Sequence, residues 1–426
     1  MSNVRILLYH RVEDLDDDYN LLAVTPDNFK KHMEYLKNNY QFISLDTPLN
    51  EWPSYGNSII LTFDDGYYDF YKYALPVLKQ LNIPATLFVT TANINTNEEL
   101  WTDELCRCIF SPKIYHESFR LRNSLFSGVW SVDSVQNKAR LYQVLHGLFK
   151  LSSYRERAYY LEQLRVWAGL TPNGRQNRRC LNKKEIKEIS ESGIVIGAHT
   201  ISHPSLRWQK PYEVDEEICG SKETLEGIIG KKIDLFSYPF GTITDYSKDT
   251  IECVRNAGFS KAVVGWPGII DDKPDAYQLP RFAIRNYCLE DYVDYIENNV
   301  FGLKTDNKNK LEPADPSIIQ YTGYIYDDNE LLASDSKIII WGIGETGVKL
   351  WDYCCALGIK DRIVCFADND PNKVGTYVND CPVWELRKIR ELKLTNKCYL
   401  VSGWYAPMII EQLLNEKESN IRWEYL

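Results

Sequence analysis

Two adjacent carboxylates and a pair of histidines four residues apart are the groups of this sequence best suited to chemistry. In Leu61-Thr62-Phe63-Asp64-Asp65-Gly66 the acids stand where an apolar run ends and Gly66 lets the chain turn. The carboxyl ends of strands are where α/β proteins place their sites. Taken alone, Asp-Asp-Gly reads first as a solvated acidic turn. Downstream, the apolar stretch Ile194–Ala198 runs directly into His199-Thr200-Ile201-Ser202-His203-Pro204, which holds two of only six histidines. An i, i+4 pair at a turn or helix start can converge on one cation, and imidazole suits Zn²⁺, Ni²⁺ or Co²⁺. Such a pair alone is also a common structural feature. Combined with Asp65 it makes a His₂Asp set that leaves coordination positions open for water and substrate, as a catalytic metal requires.

The elements that must carry these groups follow from apolar spacing. The N-terminal stretch, residues 1–10, reads as a first β-strand, Ile59–Phe63 as a short buried strand, Tyr68–Leu81 as helical and Ala85–Val89 as the next strand. Strand, helix, strand at this spacing implies a parallel sheet. From about 95 to 180 the strand signal vanishes, and Lys138–Trp167 has helical spacing, so a helical insertion is expected there. A helix near Lys183–Ser192 and a strand Gly193–Ala198 resume the alternation, which continues to about 300. Charges, Asn and Pro over 304–334 mark a linker. Lys337-Ile338-Ile339-Ile340-Trp341 opens a second unit with a strand, giving expected domains over 1–303 and 335–426.

The order Thr-Phe-Asp64-Asp65-Gly, then His199-x-x-x-His203-Pro, then Tyr238-Pro239-Phe240-Gly241 resembles the polysaccharide deacetylase family, also called NodB-like or carbohydrate esterase family 4, over roughly residues 5–290. The resemblance implies a distorted parallel (β/α) barrel and metal-dependent removal of the acetyl group from an N-acetylated sugar. It implies that Asp65, His199 and His203 hold the metal, that Asp64 is the general base, and that the Phe240 N–H stabilises the oxyanion. Tyr238 is assigned to the substrate side. Two departures matter. Ser237 stands where the family commonly has an Arg that pairs with the base; Arg281, in Leu279-Pro280-Arg281-Phe282, is the candidate replacement, its alternative being a surface Arg after a strand. No histidine follows His203 to serve as the family's C-terminal general acid. Leu7-Leu8-Tyr9-His10-Arg11-Val12 resembles instead the branch with a permuted barrel, in which His10 would protonate the departing amine. A packed His10 without a catalytic part is the alternative. Trp101 and Asp103 offer an aromatic face and a polar group to a sugar, against the reading that Trp101 anchors the insertion. His32, His116 and His146 read as structural or surface groups.

In the second unit, Trp341-Gly342-Ile343-Gly344-Glu345-Thr346-Gly347 follows a strand and opens a helix, and the strand ending at Ala367 is followed by Asp368. Such glycines let backbone approach a phosphate at a helix N-terminus, and the acid can bind a ribose. The unit resembles small Rossmann-like domains attached to bacterial sugar-modifying enzymes, for which nucleotide or nucleotide-sugar docking, NAD binding and a structural or oligomerising role all remain open.

Composition bounds these readings. The 426 residues, 44% apolar and 25% charged, describe a globular protein of two or three compact units. A net charge of −10 argues against nucleic acid as a partner. The N-terminus lacks a signal-peptide pattern, no run of about 18 apolar residues occurs, and eleven scattered cysteines without CxxC fit reduced thiols, so a cytoplasmic protein, at most peripheral to a membrane, is expected. The expectation is thus an α/β hydrolase holding a divalent metal, most simply zinc, and acting on an N-acetylated sugar or glycan precursor of a surface polysaccharide. Removal of a formyl or other acyl group, an inactive carbohydrate-binding protein on the same fold, and an NAD-dependent sugar oxidoreductase are the alternatives.

Overall fold

The computed structural model describes residues 3–122, 127–270, 273–302, 322–324, 335–394, 396–402, 409, 412–413, 416, 418 and 421–424. The chain divides into two units, Met1–Glu312 and Pro313–Leu426.

The first unit runs β1 (Val4–Tyr9), β2 (Arg11–Val12), β3 (Ala23–Val24), α1 (Pro26–Asn39), β4 (Gln41–Phe42), β5 (Ser58–Phe63), α2 (Leu75–Leu81) and β6 (Thr86–Val89). A further segment holds α3 (Trp101–Phe110), β7 (Ser118–Arg122), β8 (Ser127–Ser131), α4 (Val135–Leu151) and α5 (Tyr154–Ala168). Then come α6 (Lys183–Glu191), β9 (Val195–Ala198), α7 (Pro211–Ile229), β10 (Leu235–Ser237), α8 (Lys248–Asn256), β11 (Lys261–Val263), β12 (Phe282–Ala283) and α9 (Leu289–Asp294). The main sheet is parallel, in the order β11-β10-β9-β6-β5-β1-β12, with β4 also on β5. Its inner strands β1, β5 and β6 are short and buried throughout, as parallel strands covered on both faces must be. Val4, Ile6, Ile60, Phe88, Leu235, Val263 and Leu279 form one buried cluster, each large side chain contributing about 1.5–3 kcal/mol. The sheet curls until its two edges nearly meet: Leu279 bridges Val263 in parallel, just before Phe282 pairs with Leu7.

Local chemistry sets the helix ends. Thr25 caps α1 with Pro26 in its first turn, and Ser153 with Glu156, and Asn182 with Glu185, form capping boxes for α5 and α6. One expectation is borne out and one needs correction. The stretch Tyr68–Leu81 is helical throughout, with Phe70–Ala74 a π-turn leading into α2. Pro76 lacks an N–H and its ring clashes with the carbonyl four residues back, so the preceding turn widens. The 95–180 segment is not purely helical, since β7 and β8 pair as an antiparallel hairpin with Phe119 and Leu121 buried. Their alternation is short and framed by charged residues, which hid it. The segment has a core of its own, including Leu105, Ile109, Leu141, Leu145, Phe149 and Leu164.

The second unit contains β13 (Thr322–Tyr324), β14 (Lys337–Trp341), α10 (Glu345–Ala356), β15 (Ile363–Ala367), β16 (Tyr377–Val378), β17 (Cys381–Trp384), α11 (Leu386–Glu391), β18 (Lys397–Ser402) and β19 (Ile421–Glu424). Its sheet order is β13-β19-β18-β14-β15-β17-β16, parallel except for the β16–β17 pair. The linker expected over 304–334 lies outside the described residues except for Thr322–Tyr324, which is not linker but a strand paired with β19. Among the described residues no helix is long and apolar enough to cross a membrane.

Candidate active site

The carboxyl ends of neighbouring strands deliver the candidate groups to one place. Asp64 and Asp65 follow β5, His199 follows β9, Ser237 ends β10, and His10 follows β1. Asp65 (φ +76°), Thr200 (+64°), His203 (+57°) and Phe240 (+60°) all adopt left-handed backbone conformations. Each such residue costs on the order of 1–3 kcal/mol and persists only where its surroundings over-determine it. Gly66 (φ +77°) completes the turn after Asp65, and a Cβ there would meet Val89 Cγ1 at 2.9 Å.

Asp65, His199 and His203 are buried together, with one donor atom from each lying within 4.8 Å of the others. Oδ1 of Asp65 is 3.4 Å from His199 Nε2 and 3.3 Å from His203 Nε2, yet it makes no hydrogen bond and is buried. Two ligand bonds of ~2.0–2.1 Å at a tetrahedral angle separate their donor atoms by about 3.3 Å, so the spacing fits a shared cation better than direct hydrogen bonding. His199 Nδ1–H donates to the Ser237 carbonyl at 2.7 Å, which leaves Nε2 with its lone pair toward Asp65. Burial pushes the His203 pKa down to about 3 and so keeps that ring neutral. Burial acts to raise the pKa of Asp65, but the adjoining His199, His203 and His10 rings outweigh it and hold the carboxyl well below the usual range. The three residues thus form a candidate divalent-metal site.

Asp64 is held by Arg281 and keeps its Oδ2 3.8 Å from His199 Nε2, beside that group. The guanidinium donates from Nη1 to Oδ1 and from Nη2 to Oδ2, both at 2.7 Å, and Ser237 Oγ donates to Oδ2 at 3.0 Å. Arg281 is itself fixed by the Val264 carbonyl (2.9 Å) and by Ser237 Oγ (2.9 Å). Burial opposes the charge on Asp64, but Arg281 and His199 prevail and the net shift is downward. His10 lies in the fields of both acids; burial lowers its pKa and Asp65 and Asp64 partly restore it. The ring of Phe240 packs 4.7 Å from that of His203, and among the described residues its N–H has no protein acceptor.

Other candidates sit elsewhere. Tyr238 is not on the substrate side: its ring is 1% exposed and stacks on Tyr246 at 4.6 Å, because the strand's alternation turns it into the core. Trp101 is 5% exposed and donates from its indole N–H to the His203 carbonyl at 3.1 Å, so it packs under the loop rather than offering a face to a sugar. Asp103 accepts from Arg11 (3.0 Å) and Tyr67 (2.8 Å) and is engaged in an ionic cluster. His32 is buried, His146 lies between Trp101 and Phe240, and His116 is exposed beside Trp167. Asp69 was not singled out by the sequence. It accepts from Arg11 Nε (3.0 Å) and the Val12 N–H (2.9 Å), fixing the chain just after His10. Its place four residues after Asp65, at one helical turn, was the available signal.

A sequence model of a known family, described as polysaccharide deacetylase, matches residues 53–110 and 152–262. The comparison supports the polysaccharide deacetylase family. The deacetylase match contains Asp64, Asp65, His199, His203, Ser237 and Phe240, and leaves out His10 and Arg281. YxkH of Bacillus subtilis (strain 168), provisionally named a polysaccharide deacetylase, is 22% identical over 289 residues, covering 66% of this chain and 72% of that protein. Among solved structures, the Streptococcus pyogenes deacetylase PplD in complex with acetate is 20% identical over 68% of this chain and 96% of that one, with a TM-score of 0.44. A polysaccharide deacetylase from Bacillus cereus is 21% identical over 69% of this chain and 68% of that one, with a TM-score of 0.45.

In the second unit, Gly342 (φ +93°) and the close approach of Gly347 to the Gly342 carbonyl, 2.1 Å from where a Cβ would stand, make the turn from β14 into α10. The Asp368 carboxylate accepts from the Asp370 N–H at 2.9 Å and faces Lys373 at 3.5 Å, so it is turned into its own loop.

Proposed function

We propose that the first unit is a metal-dependent deacetylase that hydrolyses the amide of an N-acetylated sugar in a glycan or glycan precursor of surface-polysaccharide biosynthesis. The observation that carries this reading is the division of labour between neighbouring acids: Asp65 joins two histidines, while Asp64 is clamped by Arg281 and stays charged. The family match supports it.

Asp65, His199 and His203 would hold the cation, with zinc favoured by the His₂Asp donor set. Bound there, it would supply Lewis acidity toward an acyl oxygen and a water. The residues themselves do the rest. Asp64, oriented by Arg281 and Ser237, accepts the proton of the attacking water. The Phe240 N–H, without an acceptor among the described residues, would donate to the developing oxyanion. His10 hands a proton to the amine as it leaves.

For the second unit we propose a Rossmann-like fold in which the Gly342–Gly347 turn docks a nucleotide or nucleotide-linked sugar. Because Asp368 is occupied by its own loop, recognition of a ribose by that acid is not part of this reading. Calorimetric titration of the full chain with UDP or NAD⁺ tests it, and no binding at millimolar nucleotide would leave the unit a structural part.

Acetate release from a panel of N-acetylhexosamine glycans, by metal-loaded and by chelated protein, tests the first reading. Metal-dependent acetate is expected. A stoichiometric metal with no acetate from any member would overturn the reaction assigned.

A further inference from the structure

The loop between the two histidines is gripped by three side chains that neither touch the donor atoms nor belong to the loop. Trp101, at the start of α3, donates its indole N–H to the His203 carbonyl at 3.1 Å. Arg157, in α5, donates from Nη2 to both the carbonyl and the hydroxyl of Ser202, each at 2.7 Å, and its guanidinium lies 5.2 Å from the centre of the Trp101 ring. Glu217, in α7, accepts from the N–H groups of Ile201 and Ser202, both at 2.8 Å, and from the Ser202 hydroxyl.

Arg157 is 2% exposed and Glu217 7%, and the two charges meet through the Ser202 hydroxyl. Filling this space with two apolar side chains would avoid desolvating both ions, so packing alone does not account for them. What needs holding is the backbone. Thr200 and His203 are both left-handed, a conformation unfavourable for a β-branched residue in particular, and the only help from within the loop is the His203 N–H on Thr200 Oγ1 at 3.1 Å. Directional hydrogen bonds to the carbonyls of residues 202 and 203 and the N–H groups of 201 and 202 fix a strained peptide where apolar contacts would let it relax.

We infer that Trp101 and Arg157 are positioning residues of the cation site: together with Glu217 they set the separation of His199 and His203, so the segment 95–180 tunes metal affinity. This rests on the reading of Asp65, His199 and His203 as metal ligands. It gives the segment a task at the site, and it makes the buried ions functional.

Zinc titration of the full chain by calorimetry, with Trp101→Phe and Arg157→Lys, tests the inference. Trp101→Phe keeps an aromatic ring while losing the indole N–H and the small ring that carries it; Arg157→Lys keeps the charge but has no second nitrogen to hold the Phe149 carbonyl, which takes Nη1 at 3.2 Å, while Nη2 holds Ser202. Each change is expected to weaken zinc binding by about tenfold or more, as loss of partners around metal ligands does. Turnover should return to the unsubstituted level at saturating zinc with KM unchanged, a rescue that a general loss of folding would not show. Zinc affinities within twofold of the unsubstituted protein in both variants would overturn the inference. If Arg157→Lys does not fold, Trp101→Phe decides alone. An unsubstituted protein that binds no zinc would sink the ligand assignment itself, a different result from unchanged variants.

Discussion

Arg281 meets Asp64 end-on, two guanidinium nitrogens on two carboxylate oxygens at 2.7 Å each, across 217 residues of sequence. The pairing leaves Asp64 charged in a site where its neighbour Asp65 is taken up by two histidines. Ser237 makes the arrangement possible. Its small side chain leaves room for the guanidinium and its hydroxyl joins both partners.

Replacing Arg281 by Lys should therefore lower kcat by about 10²-fold while bound metal stays stoichiometric. A lysine supplies one point donor in place of a fork, and a misplacement of ~1 Å in a catalytic group costs about that much. Steady-state rates together with elemental analysis check it, and a loss of metal in this variant would contradict the separation of the two acids.

Asp64→Asn should abolish turnover and keep the metal, whereas His199→Ala or His203→Ala should lose the metal. Metal content after gel filtration and acetate release from the same samples distinguish the two classes. Full activity in Asp64→Asn would remove it as the base.

Loss of His10 should depend on the leaving group. With an amide substrate His10→Ala is expected to slow turnover by about 10²–10⁴-fold, because the amine must be protonated to leave. With an aryl acetate, whose phenolate leaves unaided, the effect should be within severalfold. Equal losses on both substrates would mean that His10 serves the fold and not the leaving group.

His32 predicts a pH effect on stability. Nε2–H must donate to the Tyr287 carbonyl (2.9 Å), so Nδ1 is the acceptor facing the Tyr9 hydroxyl (3.3 Å), and the ring stacks on Tyr292 at 3.6 Å. Burial lowers its pKa to about 4, against about 6.5 in the unfolded chain. Between these values the unfolded state binds more protons, so stability from the neutral ring is present above pH 6.5 and lost as pH falls toward 4. From pH 7 to pH 5 the protein should lose about 2 kcal/mol that His32→Gln does not lose. Urea unfolding of both proteins at both pH values measures the difference, and parallel losses would show that His32 does not titrate in this window.

What the sequence discloses of this fold is what lies at strand ends. Short apolar runs announce β5, β6 and β9, and the chemistry-bearing residues follow them directly, so Asp64, Asp65 and His199 stand out before any coordinates are known. Direction is harder to read. Tyr238 sits inside a recognisable motif yet points into the core, and nothing in Phe-Ser-Tyr-Pro says which way the chain turns before Pro239. Trp101 and Asp103 look alike in sequence, polar-tipped groups near a strand end, but their partners Arg157, Arg11 and Tyr67 come from far along the chain. The hairpin β7–β8 escapes because its strands, Ser-Phe-Arg-Leu-Arg and Ser-Gly-Val-Trp-Ser, mix polar and apolar residues where β6 and β9 are apolar runs.

The seam of the main sheet has a consequence for how the molecule comes into being. β1 obtains its second neighbour only when Phe282 reaches Leu7, and Arg281 arrives with that strand. A ribosome that has released residues up to about 270 has delivered Asp64, Asp65, His199 and His203, but not the guanidinium that holds Asp64. Synthesis thus delivers the whole candidate cation site before the proposed base can be clamped. The last strand of the main sheet both closes it and brings Arg281 to Asp64, so the pairing of these two residues waits on the end of the first unit.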